Sequence, residues 1–495
     1  MSTVVAAVAT MAVIAAAGAL PVLVLVGFRW VAVPLTALAG SVIAAVAAAL
    51  MVAVGGTLLG WFVTLATCSA IVVIALWILR PTTRPWGHGE AGRDRTGTSV
   101  PRRVPGLLAF IGVVAAAAWS LEALRTPSVG FDARTIWMLH ARWYVQGHGT
   151  SLAALRNTAL PFAHASYPPL VGATVALSWV ITGNQADRFG VVVVALLNAC
   201  AAMAAAWVLV DLGRRCGQSM AEARRRAGAV SVGLGAGIVP YAVGATAAVL
   251  LVLVAFGVAG PFATNGYADM LWAASAVGAV GYGLVLPGRR GNIASAAVLL
   301  AVAGLTKDEG YVTAMAIVAL LALRSAISAP VGHTGRWWRP AVFGVVGVVG
   351  LGLWPLLTRL LQAAPNAAAP GRRDGNDASR FHASVVSMAA HLHVLLLAAP
   401  VALVGAIILS RARRALGLGS DGWTWAALGT GLAFILIVYV TGPANIELWL
   451  ITSTHRTTMY GALLGWWVVA IWAVIASAHG VRRRPRRPGT SPRSA

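Results

Sequence analysis

Apolar runs of roughly twenty residues recur along almost the whole chain, and one helical crossing of a bilayer needs a run of about that length. They fall near 3–26, 31–55, 57–79, 104–125, 189–211, 229–260, 268–286, 292–305, 311–328, 340–361, 384–409, 422–441 and 457–478. Composition agrees: 59% of the 495 residues are hydrophobic and 10% are charged, against roughly 25% charged in a water-soluble domain. Within lipid, a run of this length satisfies its own backbone hydrogen bonds only as a helix. The expected fold is an all-α polytopic membrane protein with about thirteen transmembrane helices.

The net charge of +23 does not point to nucleic acid. The arginines form short clusters between apolar runs, not a basic surface interleaved with aromatics. Clusters of this kind set orientation, because Arg-rich loops stay cytoplasmic. Those at 80–103, 214–226, 289–290, 336–339, 411–414 and 482–493 all become cytoplasmic if the stretch from Pro168 to Gly183 does not cross. That stretch is short for a span and is expected to lie on, or dip into, the outer leaflet.

Four regions follow: an N-terminal three-helix membrane unit (1–79), a cytoplasmic linker rich in Gly, Pro and Arg (80–103), a transmembrane catalytic domain (104–480) and a basic cytoplasmic tail (481–495). The first apolar run lacks a preceding basic stretch, so a cleaved signal peptide is not expected. Cys68, Cys200 and Cys216 have no disulfide or metal-site spacing. The expected location is the inner (plasma) membrane, multi-pass, with the C-terminus cytoplasmic.

On this topology the outer face carries few chemical groups. The largest outer loop, about 126–188, holds Asp132, Arg134, His140, Arg142, His164, Tyr167 and Asp187. Others carry Asn265, Tyr267 and Asp269; the hairpin Thr306–Lys307–Asp308–Glu309–Gly310; Arg372, Arg373, Asp374 and Asp377; and Glu447, Trp449, His455 and Arg456.

In FDARTIWMLHARWYVQG, the spacing of Ile136, Leu139 and Trp143 suits an amphipathic helix lying in the interface. Asp132 either caps that helix or serves as a general base at the membrane surface. Asp269, in NGYADMLW, either caps the span it opens or faces the same cavity as Asp132. There it could position an acceptor hydroxyl or, with Asp132, hold a divalent cation. Lys307 is the only lysine in the chain. It either closes a turn through a local ion pair with Asp308 and Glu309, or provides a compact point charge for a phosphate. His455 and Arg456 head the last span, where an arginine either snorkels to the interface or binds phosphate. His391 and His393 cannot share a helix face. No Walker loop, HExxH or GxSxG motif occurs, which argues against ATP-driven transport and hydrolases.

Together FDARTIW, HASYPPL, GYADM, LTKDEG and ELWLITSTHR resemble the GT-C superfamily of polytopic glycosyltransferases, over roughly 104–460. The likeness is to the branch containing protein mannosyltransferases, aminoarabinose transferases and actinobacterial cell-envelope enzymes. It implies Asp132 as catalytic base or metal-proximal carboxylate, Asp269 as the acidic residue of the second loop, and Lys307 on the donor phosphate. His164, Tyr167, Glu309, His455, Arg456 and Arg134 then fall among the substrate-binding residues. Ser166 stands where related sequences often have an acidic residue, so no metal is assigned within the first loop.

The implied activity is transfer of a sugar from a polyprenyl-phosphate donor to a glycan, lipid or protein acceptor of the cell envelope, at the extracytoplasmic face. A flippase or transporter of lipid-linked or small polar substrates, and a non-catalytic assembly scaffold, are the competing readings. A transporter predicts ionisable groups at mid-helix and internal repeats, whereas the charges here sit at helix ends. Heavy use of Ala, Val and Arg with almost no Lys suggests a high-GC, actinobacterial source.

Overall fold

The structure, a computed structural model, describes residues 3–27, 29–78, 118, 125, 129–160, 163–226, 235–286, 290–327, 352–364, 374–442 and 445–482. Regular structure among these residues is helical throughout. The expected span at 104–125, most of that at 340–361, the linker at 80–103 and nearly all of the tail lie outside the described residues.

Three apolar helices open the chain: α1 (Thr3–Leu25), α2 (Ala32–Val54) and α3 (Leu58–Ile78). After a π-helical segment, Ala133–Met138, come α4 (Leu139–Gln146), α5 (His148–Leu155) and α6 (Leu170–Thr182). The central helices are α7 (Asp187–Arg226), α8 (Gly235–Ala259), α9 (Asp269–Val280), α10 (Arg290–Thr306) and α11 (Asp308–Ile327). The last six are α12 (Leu353–Leu360), α13 (Asp377–His391), α14 (Val394–Ala415), α15 (Asp421–Thr441), α16 (Ile446–Thr457) and α17 (Met459–Arg482).

Nine helical stretches among the described residues are long and apolar enough to cross a membrane, and three shorter apolar ones, Leu170–Thr182, Asp269–Val285 and Arg290–Thr306, accompany them. Two boundaries differ from the sequence expectation. The run at 384–409 divides between His391 and Val394 into α13 and α14, and Asn376 caps the start of α13 by accepting a 2.8 Å bond from Ser379 N. Residues expected in the last outer loop form α16, which Asn445 caps by accepting from Leu448 N at 2.9 Å.

α6, expected at the leaflet surface, is enclosed by protein, with every residue from Leu170 to Trp179 buried. It packs against α2, α4 and α7. Its thirteen residues measure only about 20 Å at 1.5 Å rise per residue. α2 also packs on α7 and α10, so the N-terminal helices adjoin the rest of the bundle.

Ion pairs form at the two ends of this bundle. At one end Arg29 pairs with Asp211 and donates to Asn292 at 2.9 Å, while Arg413 pairs with Asp421. Residues at the start of α9 and α11 and at the end of α16 gather at the other end. Between the two ends Trp272, Trp467, Tyr460 and Phe189 are among the largest fully buried side chains.

Candidate active site

Asp132 leads into the π-helical turn. Its backbone is helical (φ −61°, ψ −34°) and its side chain makes no capping bond. The carboxylate instead reaches Arg456, at the end of α16. π-Helical turns concentrate at functional sites because they re-aim side chains that a regular turn would stack along the helix. The backbone of Asp132 is fixed from the second loop: its N–H donates to the Tyr267 hydroxyl at 3.4 Å. Gly130 permits this approach, since a Cβ there would lie 2.1 Å from the Tyr267 ring.

Arg456 joins both expected carboxylates, pairing with Asp132 and approaching Asp269 Oδ2 at 3.6 Å. Its guanidinium lies 4.9 Å from the Tyr267 ring centroid and 5.8 Å from that of Phe262, where ring quadrupoles favour a cation. Asp269 is the first residue of α9 and is buried. Lys307 donates to its Oδ1 at 2.9 Å and also meets Glu309 at 3.2 Å. The turn between α10 and α11 is tight enough to place Lys307 there because residue 310 is glycine, whose Cβ would otherwise meet Ala303 O at 2.2 Å.

Lys307 thus makes a long-range ion pair as well as the local one expected from LTKDEG. Burial by itself would lower its pKa, but the Asp269 and Glu309 carboxylates outweigh burial and hold it well above the usual lysine range. Exposure is graded across the cluster: the side chains of Asp269 and Lys307 are 2% and 7% exposed, and that of Asp132 is 23% exposed. Asp132 is therefore the carboxylate best placed to meet a substrate.

His164 and Tyr167 flank the cluster. Their rings stack at 4.5 Å, and Tyr167 stacks on Trp137 at 5.8 Å. Burial, then the charge of Lys307, lowers the His164 pKa and keeps the imidazole neutral at pH 7. Burial and the Glu309 carboxylate push the Tyr167 phenol well up, so it stays protonated. His455 stands beside the cluster: a ring nitrogen bonds Val258 O at 2.8 Å, and the ring stacks on His391 at 5.3 Å. Arg134 is turned away, with its Nε 3.8 Å from Asp187, which Arg142 also pairs at 2.6 Å.

Among the described residues no group of three or more His, Cys, Asp or Glu is arranged to hold a metal ion. Between Asp132 and Asp269 lies the Arg456 guanidinium, in the space that a bridging divalent cation requires. The two carboxylates therefore do not fit such an ion.

Three contributors were not marked as site residues by sequence. Tyr267 supports both Asp132 and Arg456. Phe262 extends the aromatic surface under Arg456. Asn198, within α7, donates from its amide to Ala263 O at 3.0 Å and Tyr267 O at 3.3 Å, fixing the loop that carries Tyr267 and Asp269. The available signal was an asparagine inside an apolar run, since buried polar groups in a bilayer need defined partners.

Fold and site together define an integral, all-helical membrane protein with an ion-paired acid–base cluster at one end of its helices. No protein-family model matches the chain, and no curated protein matches it. Among solved structures it is similar to ArnT from Cupriavidus metallidurans in the apo state, at 14% identity and a TM-score of 0.33, over 76% of this chain and 78% of that one.

Proposed function

We propose that the protein is a glycosyltransferase that moves a sugar from a polyprenyl-phosphate donor to a cell-envelope acceptor at the outer face of the membrane. The carrying observation is the convergence of Asp132, Asp269, Lys307, Glu309 and Arg456, from separate segments, into one ion-paired cluster. These residues include the three, Asp132, Asp269 and Lys307, to which the GT-C resemblance assigns roles.

In this reading Asp132 takes the proton of an acceptor hydroxyl as that oxygen attacks the anomeric carbon. The bond from that carbon to the phosphate oxygen breaks, and polyprenyl phosphate leaves with its electron pair. Arg456 pairs with the Asp132 carboxylate. Its Nε has no partner within the protein and can meet the phosphate as negative charge accumulates there. Lys307, an ammonium with three donors, bonds two carboxylates and has one donor left for the same phosphate. A direct displacement inverts the anomeric centre.

The test is reconstitution in proteoliposomes with radiolabelled polyprenyl-phosphate sugars and envelope glycan acceptors. Release of polyprenyl phosphate together with a labelled acceptor is expected. Asp132→Asn should lower transfer by at least about 100-fold and keep donor binding. A flippase would move label between leaflets without cleavage, and a scaffold would be indifferent to the substitution. Either result overturns the proposal.

A further inference from the structure

Besides Arg456 Nε, two further buried polar atoms at the cluster lack a protein partner: Glu309 Oε2 and His164 Nδ1. Buried atoms of this kind are uncommon, and each calls for an explanation. The other oxygen of Glu309 is committed to Lys307 at 3.2 Å, so its carboxylate cannot turn away freely. His164 is also fixed. Its φ of +45° is unusual for a non-glycine residue, its carbonyl accepts from Tyr167 N at 2.8 Å, and its ring is stacked on Tyr167. Strain of this type persists where the surroundings over-determine the conformation, as at ligand clamps.

The two atoms have complementary needs. A carboxylate oxygen only accepts, whereas a neutral imidazole with its proton on Nδ1 donates there. A hydroxyl serves both at once, accepting from Nδ1–H and donating to Oε2. A carboxylate cannot, because it has no proton to give and repels Glu309.

We propose that His164 and Glu309 form a hydroxyl-reading pair, which selects the transferred sugar by one free hydroxyl held between them and rejects sugars that lack it or carry a carboxylate. This deepens, and rests on, the transferase reading.

The experiment measures kcat/KM with a panel of polyprenyl-phosphate pentoses and hexoses, their monodeoxy analogues and the corresponding uronates. The unaltered protein should discriminate at least tenfold against one particular monodeoxy position and against the uronates, because a site built to bond a hydroxyl rejects the analogue without it. His164→Phe keeps the ring stack and removes Nδ1. Glu309→Met keeps the length and removes both acceptor oxygens. Each should bring that one ratio to near unity and leave discrimination at the other positions unchanged. If His164→Phe does not fold, Glu309→Met decides alone. Uniform slowing on all donors by the variants, or equal turnover of all monodeoxy analogues by the unaltered protein, overturns the pair. Absence of turnover on every donor removes the transferase reading, and this inference falls with it.

Discussion

Arg456 and Asp132 are 324 residues apart in sequence and form one ion pair, which closes the last third of the chain onto its first large loop. The proposed base is thereby paired to the side chain best placed to receive the leaving phosphate. Asp132→Asn preserves shape and removes the base. Transfer should fall by roughly 100- to 10,000-fold, the usual worth of general-base catalysis, with donor affinity nearly unchanged. Single-turnover transfer and equilibrium binding, measured on the same preparation, separate the two quantities.

Lys307 should matter for stability as much as for chemistry. Removing one partner of a buried ion pair leaves the other uncompensated, at a cost of about 3–5 kcal/mol. Lys307→Met should therefore lower the thermal midpoint in nanodiscs, and adding Asp269→Asn should recover much of the loss. Because the Lys307 pKa is held above its ordinary value, the pair's contribution is complete below the unfolded lysine pKa and is lost only as pH rises through the folded one. The penalty of Lys307→Met should be the same at every pH from about 6 to 9; a penalty that vanishes at neutral pH would contradict this assignment.

Acid sensitivity is expected from His140. Burial lowers its pKa from 6.5 to about 4, and a ring nitrogen bonds Ala163 O at 2.8 Å. The folded state keeps this imidazole neutral while the unfolded state binds a proton. Its contribution is therefore full above pH 6.5 and is lost as pH falls toward about 4, on the order of 3 kcal/mol in all. Unfolding midpoints across that window should decline for the parent and less steeply for His140→Gln.

Asn198 offers a test of the loop that supports the site. Asn198→Leu removes two hydrogen bonds at nearly constant volume and leaves two loop carbonyls unpaired, costing roughly 1–3 kcal/mol each. Hydrogen exchange should accelerate at residues 260–268, with the rest of α7 unchanged. Uniform exchange along the chain would show that Asn198 does not hold the loop.

A network between Asp374 and Arg380 should govern how α16 presents Arg456. The buried Arg380 donates to Tyr439 O at 2.7 Å and Val440 O at 3.0 Å, while Asp374 accepts from Ile446 N at 2.8 Å. Asp374→Ala should reduce transfer while leaving expression and oligomeric state unaltered. Asp374→Asn, which keeps an acceptor, should restore part of the rate.

Membrane residence, helical class and most span positions could be read from the sequence, because hydropathy is a local sum over consecutive residues and each span satisfies its own backbone. The identities of Asp132, Asp269, Lys307 and Arg456 as candidates were legible too, as rare ionisable groups between apolar runs. Their partnerships were not. Spacing left Asp132 free to cap its own helix, and only the fold brings its carboxylate to Arg456. The sequence paired Lys307 with its neighbours, while the crossing of α9 and α10 adds Asp269, 38 residues away. It likewise grouped Arg134 with the site, and in the fold the Nε of that side chain lies 3.8 Å from Asp187. Pairing of charges depends on which helix ends meet in space, and that is set by the packing of entire apolar faces, which no short stretch of sequence contains.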